Sequence, residues 1–336
     1  MAILVTGGAG YIGSHAVKAL LAAGRDVVVY DDFSAGHRGA CDALRTIARP
    51  GQLYVVAGDV RDAEAVELAC LDHGVDAVLH FAAWLSVGES VREPAGYYRN
   101  NVAGTLGLLD GLRRAQVTRL VFSSTCATFG EPTRVPIDES LPQQPINAYG
   151  ETKLAIERAL PHYERAYGLR SVILRYFNAA GADPDGLLGE DHDPEIHLIP
   201  RAIFAARGGP RLQVFGDDYP TPDGTCLRDY IHVADLASAH VLALEALEGG
   251  APSNAFNVGT GVPHSVRQVL DAVARVAGRP VPADIGPRRD GDPSALYAAN
   301  DRIRATLGWT PQHASLDDIV ASAWRWHDTH PEGYGD

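Results

Sequence analysis

The chain has 336 residues, 46% of them hydrophobic and 21% charged, and its 42 acidic against 29 basic side chains give a formal net charge of −13. At about 100–200 residues per domain, this is the length of one large α/β domain or two coupled ones, with ample core and no need of a metal or disulfide staple. The acidic balance excludes nucleic acid as the main partner, and no apolar stretch approaches the ~18–20 residues that span a bilayer.

In chain order, the first half alternates short β-branched runs with longer amphipathic stretches. Residues 3–6, 27–31, 53–57, 77–81, 120–123 and 171–175 read as buried strands, and 11–23, 63–72, 95–115 and 148–167 as the helices between them. This alternation predicts an α/β fold: a doubly wound, Rossmann-like parallel sheet covered on both faces, its ligand crevice at the carboxyl ends of the strands. After residue 176 the texture changes. Residues 179–194 and 216–224 are rich in Gly, Asp and Pro, and helical pattern returns at 199–206, 233–247, 266–277, 303–307 and 316–327. The expected division is a cofactor-binding domain over 1–176 and a smaller α/β substrate lobe over 177–336, with residues around 232–258 packing back on the first domain. Cys41, Cys70, Cys126 and Cys226 are scattered and read as reduced thiols, and Met1-Ala2-Ile3-Leu4-Val5 lacks the pattern of a signal peptide. A cytoplasmic location is expected.

Thr6-Gly7-Gly8-Ala9-Gly10-Tyr11-Ile12-Gly13 follows the first strand and opens the first helix. Gly7, Gly10 and Gly13 are spaced G-x-x-G-x-x-G rather than in the G-x-G-x-x-G of the dehydrogenase fingerprint. The physics is shared: a tight turn brings a pyrophosphate against free N–H groups at the positive end of a helix dipole. Such a triplet alone is a plain strand–helix turn. Asp31, about 20 residues on at the end of the next strand, makes it a dinucleotide site. A carboxylate there binds the adenosine ribose and repels a 2′-phosphate, and Asp32 adds to the repulsion, so NAD is favoured over NADP. Asp59, in Gly58-Asp59-Val60, is placed either to reach the adenine or to cap the helix that follows.

Tyr149-Gly150-Glu151-Thr152-Lys153 lies where a helix begins, with Tyr149 and Lys153 four residues apart on one face. A tyrosine titrates at about 10, too high for a base at neutral pH, but a neighbouring ammonium and a nicotinamide cation would favour the phenolate. Alone, the two are an exposed helical pair. Their position after a strand ending Phe122-Ser123-Ser124-Thr125 makes them a catalytic candidate.

Through the glycine turn, Ser124-Thr125 and Tyr149-x-x-x-Lys153, the chain resembles the extended short-chain dehydrogenase/reductase family. More narrowly it is similar to the UDP-glucose (UDP-galactose) 4-epimerases. The resemblance runs nearly end to end, through His80-Phe81-Ala82-Ala83, Val87-Gly88-Glu89-Ser90, Asn100-Asn101, Leu174-Arg175-Tyr176-Phe177-Asn178, Gly216-Asp217-Asp218-Tyr219-Pro220-Thr221, Arg228-Asp229-Tyr230-Ile231-His232-Val233 and Arg288-Arg289-Asp290-Gly291-Asp292. It implies reversible 4-epimerisation of a UDP-sugar through a 4-keto intermediate, hydride leaving C4 for tightly held NAD and returning to the other face. By the same resemblance Tyr149 is the base, Thr125 bonds the 4-oxygen, and Lys153 orients the nicotinamide ribose and lowers the tyrosine pKa. NAD would be held by Gly7, Gly10, Tyr11, Ile12, Gly13, Asp31, Asp32, Asp59, Val60, Phe81, Ala82, Ala83, Asn100, Ser123, Tyr149, Lys153 and Tyr176. The UDP-sugar would be surrounded by Thr125, Tyr149, Asn178, His197, Leu198, Phe215, Arg228, Arg289, Asp292 and Leu296, with the arginines on phosphate. Without the family pattern each arginine reads as a surface salt bridge and Phe215 equally as core. The family dimerises through the helices placed here at 95–115 and 148–167, so a homodimer is expected.

Some positions depart from the best-known bacterial members. Leu85 stands where those carry a lysine that helps hold the cofactor, and Thr125 replaces a serine. Leu296 occupies the position where tyrosine narrows the sugar pocket and smaller residues admit N-acetyl sugars. Ser123-Ser124-Thr125-Cys126-Ala127-Thr128 also resembles the plant UDP-arabinose (UDP-xylose) 4-epimerases, which leaves pentose and N-acetylhexosamine substrates open. Sister 4,6-dehydratases place Asp-Glu after the Ser/Thr, where Cys126-Ala127 cannot do that proton chemistry. A non-catalytic NAD-sensing module has little reason to keep Thr125, Tyr149 and Lys153 together. No metal is expected, because His192 and His197 lack further ligands at metal-like spacing, and Cys126 reads as packing.

Overall fold

The computed structural model describes residues 2–289 and 292–336. Its first six strands are β1 (Ala2–Thr6), β2 (Asp26–Asp31), β3 (Leu53–Ala57), β4 (Val75–His80), β5 (Arg119–Thr125) and β6 (Arg170–Tyr176). The chain then leaves for β7 (Asn178–Ala180), β8 (Leu212–Phe215) and β9 (Leu227–His232), and returns for β10 (Asn254–Val258). Seven of these form one parallel sheet of order β3-β2-β1-β4-β5-β6-β10. Strands buried on both faces read as continuous apolar runs, and β1, Ala-Ile-Leu-Val-Thr, is buried along its whole length. Burying each of Ile3, Leu4 and Val5 stabilises the sheet by about 1.5–3 kcal/mol. The chain reverses direction across the sheet between β1 and β4, and at that switch point the crevice opens at the carboxyl ends.

Twelve α-helices are described: α1 (Tyr11–Ala22), α2 (Arg38–Ile47), α3 (Ala63–His73), α4 (Val87–Arg92), α5 (Pro94–Tyr97), α6 (Gly104–Arg114), α7 (Ala148–Tyr167), α8 (Leu198–Ala206), α9 (Val233–Glu248), α10 (Val266–Ala277), α11 (Asp301–Leu307) and α12 (Leu316–Thr329). One face of the sheet is covered by α1, α2, α9 and α11 through residues such as Val17, Leu44, Leu236 and Ile303. The other is covered by α3, α6 and α7 through Val66, Leu108 and Ile156. A separate core packs α8, α10 and α12 together. Above it, β9 pairs with β7, with β11 (Pro263–Ser265) and with β13 (Ala295–Leu296), while β12 (Ala283–Gly286) pairs with β8. No helix among the described residues is long and apolar enough to cross a membrane.

Two features differ from the sequence expectation. The amphipathic α2 fills a stretch read as connection, burying Ala40, Cys41 and Leu44. The helix expected over 95–115 is interrupted: residues Tyr98–Ala103 wind as a π-helix between α5 and α6. A π turn admits an extra residue and re-aims the side chains it carries, and such turns favour functional sites. As expected for residues around 232–258, α9 packs on the sheet beside α1 and leads to the seventh strand, β10.

Candidate active site

The glycine turn divides its labour. A Cβ at Gly13 would stand 2.0 Å from the Gly7 carbonyl oxygen, and one at Gly7, whose φ is +69°, would stand 2.6 Å from the Ala82 nitrogen. Those two allow backbone to pack on backbone. A Cβ at Gly10 would meet only the Gly7 oxygen, at 3.4 Å, so Gly10 faces open space at the start of α1. No side chain caps that helix, and the first-turn N–H groups of Tyr11, Ile12 and Gly13 point to the crevice mouth. Tyr11 offers only its backbone there, because its hydroxyl donates to the Gly181 carbonyl at 2.6 Å. Asp31, buried at the end of β2, accepts from the Ala9 and Phe33 N–H groups, each at 2.9 Å, and burial raises its pKa while those bonds oppose the rise. Asp32 binds the Ser34 backbone and hydroxyl.

Asp59 does not cap the helix that follows. Its carboxylate holds the Arg61 N–H at 2.8 Å and the Arg61 guanidinium, and the cap of α3 is Asp62, which accepts from Glu64 and Ala65. The Val60 side chain lies in the core beneath α6. After β4, Phe81 and Ala82 donate to the Thr6 carbonyl at 2.9 and 3.1 Å, and the partly buried Ala83 leads into Trp84 and the exposed Leu85. The π turn holds this segment: Asn101 accepts from the Trp84 N–H at 2.8 Å and donates to the Trp84 carbonyl and to Thr152, while Asn100 donates to Asn101.

β5 delivers Ser123, Ser124 and Thr125 to the same edge, and α7 begins opposite, capped by Asn147, which accepts from Gly150 at 2.9 Å. Tyr149 and Lys153 share the face of α7 turned to β5. The Lys153 Nζ donates to the Ser123 carbonyl at 2.9 Å and stands 5.1 Å from the Phe122 ring centroid. Burial brings Lys153 down to about 7, with Glu157 one turn on opposing the fall. Burial also pushes the Tyr149 phenol up, with Tyr176 adding, against a hydrogen bond to Thr125. The depressed tyrosine pKa expected from sequence is therefore absent from the protein alone, because desolvation of the phenolate outweighs its neighbours.

A second focus lies in the smaller lobe. Asn178, His197, Leu198, Phe215, Arg228, Arg289 and Asp292 all line one cavity of about 210 Å³. The Arg289 guanidinium lies over the Phe215 ring, 4.3 Å from its centroid, so Phe215 is a wall and not core. Arg228 is held by Asp292 and donates to the Leu227 and Pro293 carbonyls at 2.8 and 2.9 Å, which makes Asp292 a partner of the arginine as well as a lining residue. Leu296, Thr125 and Tyr149 lie outside this lining; Leu296 sits opposite Arg228 in the β13–β9 register and packs on the Phe129–Phe177 cluster. Asp290 and Gly291 of the Arg288–Asp292 motif are outside the described residues.

The model of the NAD dependent epimerase/dehydratase family matches residues 3–259. The chain belongs to that family. A UDP-glucose 4-epimerase of Halalkalibacterium halodurans is 51% identical over 99% of this chain and 98% of its own. The crystal structure of UDP-glucose 4-epimerase from Brucella ovis in complex with NAD is 50% identical, with a TM-score of 0.91 over 96% of this chain and 97% of that one. The enzyme of that name from Bifidobacterium longum, in complex with NAD+ and UDP, is 39% identical, with a TM-score of 0.93 over 99% and 100%.

The dinucleotide of this epimerase/dehydratase family fits the residues present: an uncapped helix start, a glycine facing open space and a buried ribose-binding carboxylate lie along one crevice. Several polar groups that hold the site were not legible as such. Glu157, two turns after Tyr149, accepts from Arg175 through Nε at 3.1 and 3.0 Å and Nη2 at 2.6 Å, from Gln143 at 2.9 Å and from the Ser124 hydroxyl. Its signal was the i, i+4, i+8 spacing on α7. His240 of α9 lies 3.1 Å from the Ser123 hydroxyl and tilts against Phe81, 4.6 Å between centroids, close to Tyr176. One expectation is corrected outright: His192 and His197 do have further donors. Glu190 and Glu195 converge with them, all four donor atoms lying within 4.8 Å of one another. An irregular loop, with no helical or strand period to betray it, brings them together.

Proposed function

We propose that this chain is a UDP-sugar 4-epimerase interconverting UDP-glucose and UDP-galactose, with NAD as a resident cofactor. The reading rests chiefly on one arrangement: Tyr149 and Lys153 of α7 face the Thr125 end of β5, and Cys126, the next residue, lies near Arg228 of the arginine-lined cavity. Gly7, Gly10, Gly13, the first-turn N–H groups and Asp31 would hold the dinucleotide, and Asn100, Phe81, Ala82, Ser123 and Tyr176 would line its nicotinamide end. When bound, NAD supplies the capacity to accept the sugar C4 hydrogen and return it to either face.

Thr125 would hydrogen-bond the 4-oxygen and Tyr149 would take the 4-hydroxyl proton. Burial alone opposes charge on either Tyr149 or Lys153, and a cation beside Tyr149 would favour its phenolate. The oxidised nicotinamide ring, when bound, would supply that cation. Arg228 and Arg289 would bind the diphosphate, Arg228 exchanging the Asp292 carboxylate for phosphate oxygens, with the uracil end between Phe215 and Leu198. Residues 1–176 with α9 and β10 would form the cofactor body and the remainder the nucleotide-sugar lobe. We further infer a cytoplasmic homodimer joined through α6 and α7, whose neighbourhood leaves Tyr98, Leu106 and Tyr167 exposed. The test supplies UDP-galactose, UDP-N-acetylglucosamine and UDP-xylose separately to purified protein without added NAD. UDP-glucose forming fastest from UDP-galactose supports the reading, and no turnover of any of them by NAD-loaded protein ends it.

A further inference from the structure

The loop between β7 and α8 carries Glu190-Asp191-His192-Asp193-Pro194-Glu195-Ile196-His197, and four of these side chains turn towards one point. Glu190 is only 3% exposed, and its Oε1 has no hydrogen-bond partner although His197 Nδ1 is 2.8 Å away and His192 Nδ1 3.4 Å away. His192 Nδ1 is likewise buried without a partner, 3.5 Å from Glu195 Oε2, whereas Glu195 Oε1 accepts from the His197 N–H at 2.7 Å and is hydrogen-bonded to His197 Nδ1 at 3.0 Å. For Glu190 Oε1 and His192 Nδ1, close approach without hydrogen-bond direction means that they aim at a common centre more than at each other. A buried carboxylate oxygen in that state is costly unless something positive satisfies it.

We propose that Glu190, His192, Glu195 and His197 form a binding site for one divalent transition-metal ion of the zinc class, closed by four protein ligands and structural in role. Ligands at about 2.1 Å from a tetrahedral ion lie about 3.4 Å from one another. Two of the four His–Glu separations already match, and the other two need to open by a few tenths of an ångström. Two imidazole nitrogens and two carboxylate oxygens suit zinc, cobalt(II) or nickel, whereas magnesium and calcium prefer oxygen alone and copper(I) prefers sulfur. Two carboxylates also balance the charge of a divalent ion.

The surroundings fit a clamp. Gly189 packs flat against Trp326, and the Asp191 carboxylate accepts from the Tyr334 N–H at 2.8 Å, which ties the start of the loop to the C-terminal segment. His197 directly precedes α8, and both Glu190 and His197 line the cavity that contains Arg228. An ion held here fastens the wall of that cavity to α8. The site stands whether or not the substrate is a UDP-sugar.

The test uses the full-length protein free of any polyhistidine tag, treated with chelator and then titrated with zinc chloride by calorimetry and with cobalt chloride by visible absorption. One zinc per chain, intense cobalt bands of tetrahedral coordination, and a zinc-dependent rise in unfolding temperature are expected. His192→Asn and Glu190→Gln should each weaken zinc binding by about 100-fold or more and abolish the temperature rise. The two variants differ in size and charge, so one measures the site if the other fails to fold. Absence of stoichiometric binding would overturn the proposal and leave two His–Glu ion pairs. Binding that survives in both variants, or cobalt bands typical of thiolate ligation, would overturn it equally.

Discussion

Lys153 and Ser123 meet across the carboxyl end of the central sheet, the ammonium donating 2.9 Å to a β-strand carbonyl and not to a carboxylate. The charge is thus anchored without being neutralised, and the Glu157 carboxylate one turn away is taken up by Arg175. Lys153 is thus left free for the proposed role beside Tyr149 and a bound cofactor's ribose. Lys153→Met should lower kcat by about 100-fold or more while KM for the UDP-sugar changes little, since Lys153 is remote from the arginine cavity. Steady-state kinetics on NAD-loaded protein check this, and a KM effect without a kcat effect would remove Lys153 from the chemistry.

Gly10 and Gly13 should separate cofactor binding from folding. Gly10→Ala adds a methyl to open space at the start of α1, where it obstructs a pyrophosphate but touches only one protein oxygen, at 3.4 Å. Its unfolding midpoint in NAD-free protein should stay close to wild type, with bound NAD per chain after purification falling at least about tenfold. Gly13→Ala collides with the Gly7 carbonyl at 2.0 Å and should cost about 2 kcal/mol or more in stability. Ultraviolet absorbance for NAD content and urea unfolding for stability give the two readings.

Four histidines are buried neutral: His80 and His232 are brought down to about 3, and His15 and His240 to about 4, in each case chiefly by burial. The unfolded chain protonates them at about 6.5, so between pH 6.5 and 4 it binds protons that the fold refuses, and stability falls on acidification. Each contributes a slope of up to about 1.4 kcal/mol per pH unit. Urea titrations at pH 6.5 and 5 should show the loss, and His80→Gln should reduce the slope by about one proton.

How far the sequence could be read depended on what each segment's side chains were serving. β1 to β6 were legible because strands buried on both faces are unbroken apolar runs. β9 was not, because Arg228, Asp229 and Tyr230 interrupt its pattern with groups that serve the cavity and the loops around it. The interrupted helix after Pro94 looked continuous, since one added residue in the π turn leaves composition unchanged while it re-aims Asn100 and Asn101. Tyr149 and Lys153 were visible through their spacing and the family motif, whereas Glu157 gains meaning only once Arg175 from β6 reaches it. Glu190 and Glu195 escaped because their convergence is set by an irregular loop.

Asp229 illustrates a polar residue of β9 with a structural task. It is fully buried and accepts from the Thr260 N–H and hydroxyl at 2.9 and 2.7 Å, the Gly261 N–H at 3.0 Å and the Ala298 N–H at 3.1 Å. Asp229→Ala would leave those donors buried without an acceptor and should cost about 3 kcal/mol or more. The urea midpoint should fall with an unchanged slope, and a near-wild-type midpoint would contradict the assignment.

In the proposed reaction the C4 hydrogen leaves the sugar and returns within one closed site holding Thr125, Tyr149 and Lys153. The most direct measurement runs UDP-galactose to UDP-glucose in deuterium oxide, with NAD-loaded protein and no added cofactor, and reads the C4 position by proton NMR or mass spectrometry. Product with undiminished protium at C4 is expected, and Tyr149→Phe should keep NAD bound with turnover reduced by about 100-fold or more. Solvent deuterium at C4, or near-wild-type turnover by Tyr149→Phe, would contradict it.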